Sequence, residues 1–321
     1  MSGPSEFAVR VVEAEHLGPS VKRLRMERRD GEPLPPYSAG SHTVLTLETG
    51  AGRLRNAYSL LGATLGGGRA YEVAVLRSPQ SRGGSAFIHD TVGPGTELTL
   101  GAPVNLFPLN RRARRHVLVA GGIGITPIAA MARELAEASM PFELHYAMRD
   151  EASGAFAQAL ADRHGSRVRL YVSRRQERLA VAEILRHQPL GTHLYVCGPE
   201  RMIEGVLADA RAQGWPDSAL HAERFLAPAG GEPFDVTLRR SGVRARVGEH
   251  QTLLEAIEAA GVEAPYLCRG GACGACETRV LEHDGELLHA DHFLGEAERR
   301  SGRTIMTCVS RLKGRELVLD L

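Results

Sequence analysis

An excess of either charge is missing from this 321-residue chain, in which 39 Lys and Arg stand against 38 Asp and Glu. The resulting formal charge of +1 gives no support to nucleic acid or an anionic membrane surface as a partner. Long apolar runs are missing too. His116 to Ala132 is the longest, but Gly121, Gly122, Gly124 and Pro127 interrupt it. It also falls short of the roughly 20 residues a membrane-spanning helix needs. Met1 to Arg10 lacks the apolar core of a secretion signal. Cysteine is scarce: there are five, and four fall in one pattern, so no disulfide framework remains. That usage leads us to expect a protein of the reducing cytoplasm. No repeat or low-complexity tract stands out. With 43 % apolar and 24 % charged residues the composition is that of an ordinary soluble protein, and the length leaves room for two or three domains.

The informative pattern is Cys268-x4-Cys273-x2-Cys276 with Cys308 further on. Its two short spacings are those of a plant-type 2Fe–2S ferredoxin, in which four thiolates hold one cluster. Arg269, Gly270, Gly271 and Ala272 fill the first gap, and Gly274 and Ala275 the second. Small residues let backbone N–H groups approach cluster sulfur atoms closely. A structural zinc site is the alternative, but such sites usually come as two separated C-x2-C pairs. Here Cys308 stands alone.

The residues around the pattern read as one small unit. Phe234, Val236 and Leu238 alternate with polar residues, Ser241-Gly242 turns the chain, and Val243, Ala245 and Val247 alternate on the way back. That is a hairpin with one buried face. Thr252-Leu253-Leu254-Glu255 is a capping-box pattern, and Leu253, Leu254 and Ile257 mark the buried stripe of a short helix that Gly261 is placed to end. A last strand over 316–321 completes a β-grasp order.

Two breaks divide the remainder. Residues 227–232 are a Pro/Gly-rich linker, and a second break lies between Pro108 and Arg115. The expected units are 1–109, 110–226 and 233–321. In the middle one, Val117 to Ala120 is a buried strand leading into Gly121-Gly122-Ile123-Gly124-Ile125-Thr126-Pro127. Thr126 is placed to cap a helix and Pro127 to open it, so that the helix start can seat a pyrophosphate. A lone glycine turn of this kind is equally common without a nucleotide. Leu194 to Cys197 is a further strand, ending in Cys197-Gly198-Pro199 with a helix expected from Glu200. At a strand's carboxyl end Cys197 could face a nicotinamide, or be a small buried core residue.

The first unit has short alternating strands, Val44 to Leu47 and Tyr71 to Leu76 among them, which suggests a small antiparallel barrel. Tyr58-Ser59-Leu60 follows Arg55-Asn56-Ala57, and Arg82-Gly83-Gly84-Ser85 precedes an apolar run. The second segment reads either as an anion cradle at a helix start or as a plain turn.

Taken in order, these segments together with Glu223-Arg224-Phe225 resemble the phthalate dioxygenase reductase family, single-chain reductases that serve Rieske non-haem oxygenases. The resemblance covers nearly the whole chain. It implies an antiparallel flavin-binding β-barrel, an α/β nicotinamide-binding domain of ferredoxin reductase type and a C-terminal β-grasp 2Fe–2S ferredoxin. Tyr58 would pack along the flavin ring and Ser59 would lie near N5. Val75 and Leu76 would offer backbone groups to the ring edge, while Gly83, Gly84 and Ser85 would hold the phosphate. Gly121, Gly122, Gly124, Thr126, Pro127, Cys197, Gly198 and Pro199 would hold the nicotinamide nucleotide, with Phe225 near the flavin face. The residues of hydride transfer would then be Tyr58, Ser59, Cys197 and Phe225. FMN is the flavin implied, and the implied partner is a Rieske-type oxygenase met by a monomeric, cytoplasmic reductase.

The chain departs from that family pattern in two places. Asn56 stands where the family has an arginine for the flavin phosphate; Arg55 is one residue early, on the other side of a strand, and Arg82 offers the missing charge. The family's habit is NADH, yet Ser173-Arg174 resembles the pair that holds the 2′-phosphate of NADPH. The competing functional readings are a stand-alone flavin/iron–sulfur reductase and a redox-sensing module. His42, His89, His145, His193 and His221 show no metal-ligand pattern and read as surface or satisfied structural residues. Trp215 and the arginines of 111–115 read as packing and solvated surface.

Overall fold

The computed structural model describes residues 5–50, 52–62, 68–79, 82–225 and 230–321. Its strands fall into three main sheets taken up in chain order, because each stretch of alternating or continuous apolar residues finds its partners within its own third of the sequence.

The first sheet is antiparallel and contains β1 (Glu6–His16), β2 (Val21–Arg28), β3 (Ser41–Thr49), β4 (Gly52–Ser59), β5 (Ala70–Leu76), β6 (Glu97–Gly101) and the short β7 (Val104–Asn105). Its order is β4-β3-β6-β1-β2-β5, with β7 on β3. The two outer strands come together where Leu60 bridges Val73 and the Leu61 amide donates to the Glu72 carbonyl at 2.8 Å, which closes the barrel expected above. Val9, Leu24, Leu45, Leu47, Tyr71 and Val73 fill its interior. Helix α1 (Gly84–Thr91) plugs one end. The buried Lys22 ammonium donates to the Ile88 and His89 carbonyls at 3.1 Å and to that of Val92 at 2.5 Å, a cation placed on the helix's electronegative end.

The second sheet is parallel throughout: β8 (Arg115–Gly121), β9 (Phe142–Met148), β10 (Val168–Val172), β11 (Thr192–Cys197) and β12 (Leu220–Glu223), ordered β10-β9-β8-β11-β12. The crossover helices α2 (Ile125–Glu137), α3 (Ala157–His164), α4 (Val181–Arg186) and α5 (Glu200–Ala212) cover both faces, so the central strands read as continuous apolar runs. The order reverses between β8 and β11. Open α/β sheets bind ligands outside the carboxyl ends of the strands at such a switch point.

The third sheet holds β13 (Phe234–Leu238), β14 (Val243–Val247), β15 (Glu277–His283), β17 (Thr304–Met306) and β19 (Glu316–Leu319), ordered β14-β13-β19-β15-β17, while β16 (Glu286–Leu288) pairs with β18 (Arg311–Lys313). Helix α6 (Leu253–Ala259) packs on it, and α7 (Glu296–Ser301) precedes β17. The capping box of α6 is formed as expected: Glu255 N–H donates to Thr252 Oγ1 at 3.0 Å, and Thr252 N–H to Glu255 Oε2 at 2.9 Å. Half of the 227–232 linker, residues 227–229, lies outside the described residues. Among the described residues, no helix is long and apolar enough to cross a membrane.

One local expectation is corrected. Helix α2 starts at Ile125, so Thr126 and Pro127 both sit inside its first turn, and the Thr126 hydroxyl donates back to the Ile123 carbonyl at 3.0 Å instead of capping. The three-residue 3-10 turn Gly122–Gly124 brings the helix in early.

Candidate active site

Cys268, Cys273 and Cys276 lie on the loop between α6 and β15, and Cys308 follows β17. All are buried except Cys273, which is half-buried. The thiols meet as two pairs: the Cys276 and Cys308 sulfur atoms are 3.0 Å apart, and Cys268 and Cys273 share a hydrogen bond. Among the described residues, no three His, Cys, Asp or Glu side chains converge as a single-ion site requires. Two thiol pairs suit a group with two metal atoms, which weighs for a 2Fe–2S cluster against zinc.

The hydrogen bond with Cys273 pulls the Cys268 thiol down to about 5, helped by the N–H groups of Gly270, Ala272 and Cys273 and opposed by burial. Cys308 lowers Cys276 in the same way. Each pair thus contains one easily formed thiolate, the state that binds metal. Gly274 has φ +76°, and a Cβ there would lie 2.3 Å from the Phe293 ring, so close packing as well as backbone shape requires glycine.

Strand β4 and the start of α1 bring the expected flavin residues together. Ser59 is buried. Burial pushes the Tyr58 phenol up to about 12, and the Asn56 side-chain N–H donates to its oxygen at 3.4 Å. Gly83 precedes α1 with φ +103°, no side chain caps that helix, and a Cβ on Gly83 would meet open space. A Cβ on Gly84 would stand 2.3 Å from the Asn56 amide nitrogen. Arg82 donates to Asn56 Oδ1 at 3.4 Å, placing its guanidinium beside the position that lacks the family's arginine. A helix start behind a positive-φ glycine fits a phosphate, whereas the Arg82 guanidinium is already held by the Glu255 carboxylate at 2.6 Å, with both side chains 7 % exposed.

Other members are placed differently. Arg55 turns away to Glu258 of α6 at 2.7 Å. The Ser85 hydroxyl accepts from the Ser78 amide at 3.1 Å. The Val75 carbonyl is within 2.9 Å of His89 Nε2, while Leu76 is among the exposed large apolar residues.

At the switch point the two glycine turns interlock. A Cβ on Gly124 would meet the Cys197 carbonyl at 2.3 Å and the Gly198 nitrogen at 2.6 Å. One on Gly121 would meet Met202 Sδ at 2.7 Å and Pro199 at 2.8 Å. Gly122, with φ +52°, faces open space, and its carbonyl accepts from the Tyr146 hydroxyl at 3.1 Å. The residues present therefore fit a dinucleotide lying across β8 and β11. Ser173 opens a short turn after β10 and donates to the Met148 carbonyl at 3.0 Å, and Arg174 pairs with Asp150 at 3.1 Å. Cys197 is fully buried, and burial pushes its thiol well up, with Glu223 adding to the effect, so it stays neutral. Phe225 is 47 % exposed. A depression of about 450 Å³ lined by Arg115, Phe142, Glu143 and Arg167 lies at the amino ends of β8 and β9, away from these turns.

A family model described as "Dimethylamine monooxygenase subunit DmmA-like, N-terminal domain" matches residues 104–220, and "2Fe-2S iron-sulfur cluster binding domain" matches 236–313. The solved structure of a phthalate dioxygenase reductase superposes with TM-score 0.88 at 32 % identity, covering 99 % of this chain and 98 % of that one. The chain belongs to the phthalate dioxygenase reductase family. Within the wider set of relatives it is 45 % identical to the haem-dependent oxidative N-demethylase beta subunit of Ectopseudomonas mendocina and 40 % identical to the carnitine monooxygenase reductase subunit of Acinetobacter baumannii. Each match covers 98 % of both chains. Membership of this family makes the protein an electron-transfer oxidoreductase with a flavin-binding barrel, an NAD domain and a C-terminal ferredoxin.

Sequence reasoning missed three acidic residues that the fold brings into these sites. Glu223, paired in register with Cys197, has its carboxyl pushed up to about 8 by burial, with Oε2 buried and unpartnered. Glu255 and Glu258, on the ferredoxin helix, reach the barrel. A buried carboxylate beside a strand-end cysteine leaves no trace in local periodicity. Glu255 reads only as the capping-box partner of Thr252, and nothing in local periodicity singles out Glu258.

Proposed function

We propose that this protein is the reductase component of a two-component oxygenase or demethylase system, taking electrons from NADH through FMN and a 2Fe–2S cluster to a Rieske-type non-haem iron oxygenase. The observation that carries the reading is the presence, in one chain, of a flavin-type barrel cradle, a dinucleotide crevice and two thiol pairs. When bound, a nicotinamide would supply electron pairs as hydride, FMN would allow exchange between two-electron and one-electron transfer, and a 2Fe–2S cluster held by the four cysteines would supply single-electron transfer.

The chain's own residues bind and orient. Gly121, Gly122, Gly124, Gly198 and Pro199 shape the seat of the nucleotide, with Thr126 and Pro127 setting the first turn behind it. The neutral Cys197 thiol and the side chains of Tyr58, Ser59 and Phe225 line the place of hydride transfer. Gly83, Gly84 and Ser85 hold the flavin phosphate, with Asn56 and the Glu255-bound Arg82 beside them; Val75 and Leu76 border the ring. Cys268, Cys273, Cys276 and Cys308 ligate the cluster. The domains run over 1–109, 110–226 and 233–321, joined by 227–232, and the protein acts as a cytoplasmic monomer.

NADH is favoured over NADPH because Arg174 already has the Asp150 carboxylate as a partner. A 2′-phosphate would have to approach that carboxylate, which hydrogen bonds from Ser153 and, to a lesser degree, Arg174 and Arg149 hold below the usual range.

A second reading of the partner has its own support: the 45 % identity to a haem-dependent N-demethylase subunit favours a haem oxygenase. The test is an anaerobic visible titration with NADH, then NADPH, followed by addition of candidate oxygenases of both types. Flavin and cluster bands bleaching with NADH, then recovering on addition of a Rieske protein, is the expected result. Pigments that neither nucleotide bleaches would sink the reductase reading, and recovery with a haem protein alone would replace the Rieske partner.

A further inference from the structure

Between the barrel and the ferredoxin unit lies a carboxylate that touches both. Glu258, on the last turn of α6, accepts from Arg55 Nη1 at 2.7 Å and from Arg269 Nη1 at 3.1 Å, with a further hydrogen bond from Arg269 Nη2. Arg55 belongs to β4, the strand that also carries Asn56, Tyr58 and Ser59. Arg269 follows Cys268 directly. It has φ +51°, a backbone conformation that non-glycine residues adopt only when their surroundings enforce it, and its guanidinium lies 3.7 Å from the centre of the Tyr266 ring. The three side chains are 16 %, 18 % and 4 % exposed for Arg55, Glu258 and Arg269.

This is unlike a solvent-exposed ion pair. Removing the carboxylate would leave two largely buried guanidinium groups facing each other, and loss of one partner from a buried pair is strongly unfavourable. Among the described residues, the only other carboxylate paired with the Arg55 guanidinium is that of Glu6 at 3.9 Å, while the Arg55 backbone amide donates to Glu255 at 3.3 Å and Arg55 Nε has no partner.

We infer that Glu258 is a positioning residue for the electron-transfer step, clamping the Cys268 loop against the flavin-bearing strand β4 through Arg55 and Arg269. The inference rests on the reductase reading above. Transfer between bound groups falls steeply with their separation, so a clamp joining the two cofactor-bearing elements sets the rate of that step while leaving the nucleotide crevice alone.

The experiment is anaerobic stopped-flow reduction by NADH of the holoprotein, of Glu258→Gln, of Arg55→Gln and of the double variant, following flavin and cluster bleaching separately. Small-angle scattering of each protein supplies a readout independent of turnover. Both single variants are expected to keep the flavin phase within about twofold and to slow the cluster phase about tenfold or more, because loosening the contact lengthens the transfer distance by several ångströms. The double variant should be no slower than Glu258→Gln alone, because Arg55→Gln removes a contact that Glu258→Gln already breaks. Their radius of gyration should exceed that of the wild type. Arg55→Gln keeps the test decisive if Glu258→Gln fails to hold its cluster, since Arg55 lies on the barrel strand β4 and its hydrogen bonds reach Glu255 and Glu258 of α6. Cluster bleaching at the wild-type rate with unchanged scattering would overturn the clamp while leaving the reductase reading intact. A wild-type protein that NADH does not bleach would overturn the reading itself.

Discussion

Arg82 and Glu255 meet at 2.6 Å across the face between the barrel and helix α6, and each side chain is 7 % exposed. The same Glu255 carboxylate closes the capping box of its own helix, and Arg82 also donates to the His250 carbonyl at 2.9 Å. One acid therefore fixes a helix start and a contact between two sheets.

Replacing Glu255 by Ala removes one partner of a buried pair and should cost about 3–5 kcal/mol. Thermal unfolding followed through flavin and cluster absorbance would show it as an earlier melt. An unchanged melt would mean the pair contributes nothing.

Cys308 closes the second thiol pair from outside the cysteine loop. Cys308→Ser should abolish the broad cluster absorption and its paramagnetic signal after reduction, while flavin bleaching by NADH persists. Retention of the cluster would place its fourth ligand elsewhere.

Gly124 admits no side chain, because the Cys197 carbonyl occupies the space of its Cβ. Gly124→Ala should weaken nucleotide binding by about 1–3 kcal/mol, the usual cost of overpacking. The KM for NADH would rise, with both pigments still bound. A normal KM would exclude this turn from the nucleotide seat.

Asp150→Asn keeps an acceptor for the Ser153 amide but removes the charge beside Arg174. Because Arg174 is well exposed, the expected gain in kcat/KM for NADPH is modest, about fivefold for each kcal/mol gained, with NADH little affected. A loss for both nucleotides would show that Asp150 supports the fold instead.

Glu223 makes a prediction about pH. Its folded pKa is raised to about 8 from 4.5, so the native state binds a proton the unfolded chain gives up, and the associated stability is complete below about pH 4.5. It is lost as pH rises toward 8, by up to about 1.4 kcal/mol per unit. Glu223→Gln should flatten that slope, melting close to the wild type near pH 5 and above it at pH 9. Parallel curves for the two proteins would contradict a buried neutral carboxyl.

How much of this was legible beforehand follows from how local each feature is. The cysteine spacings, the Thr252–Glu255 capping box and the Phe234-to-Val247 hairpin are short-range patterns, and the fold contains them as read. Strand β8 with its glycine turn and strand β11 with Cys197-Gly198-Pro199 were each visible. Their adjacency was not, because sequence order does not state that β11 pairs with β8. Thr126 was misread as a cap because the 3-10 turn at Gly122–Gly124 starts the helix early, and a shift of one or two residues at a helix start leaves the apolar period unchanged.

The sequence by itself determined the chemistry: four thiolates at ferredoxin spacing, glycines where backbone must approach a ligand, and apolar periods that sort into barrel, parallel sheet and β-grasp. These are set by neighbours along the chain, whose steric and hydrogen-bonding demands do not depend on distant partners. The tertiary structure alone decided that Arg82 stands beside Asn56, that Arg55 and Arg269 share Glu258, and that half-buried Glu223 pairs in register with Cys197. Charged side chains choose their partners through space, and their protonation follows the burial and fields that only the assembled chain creates.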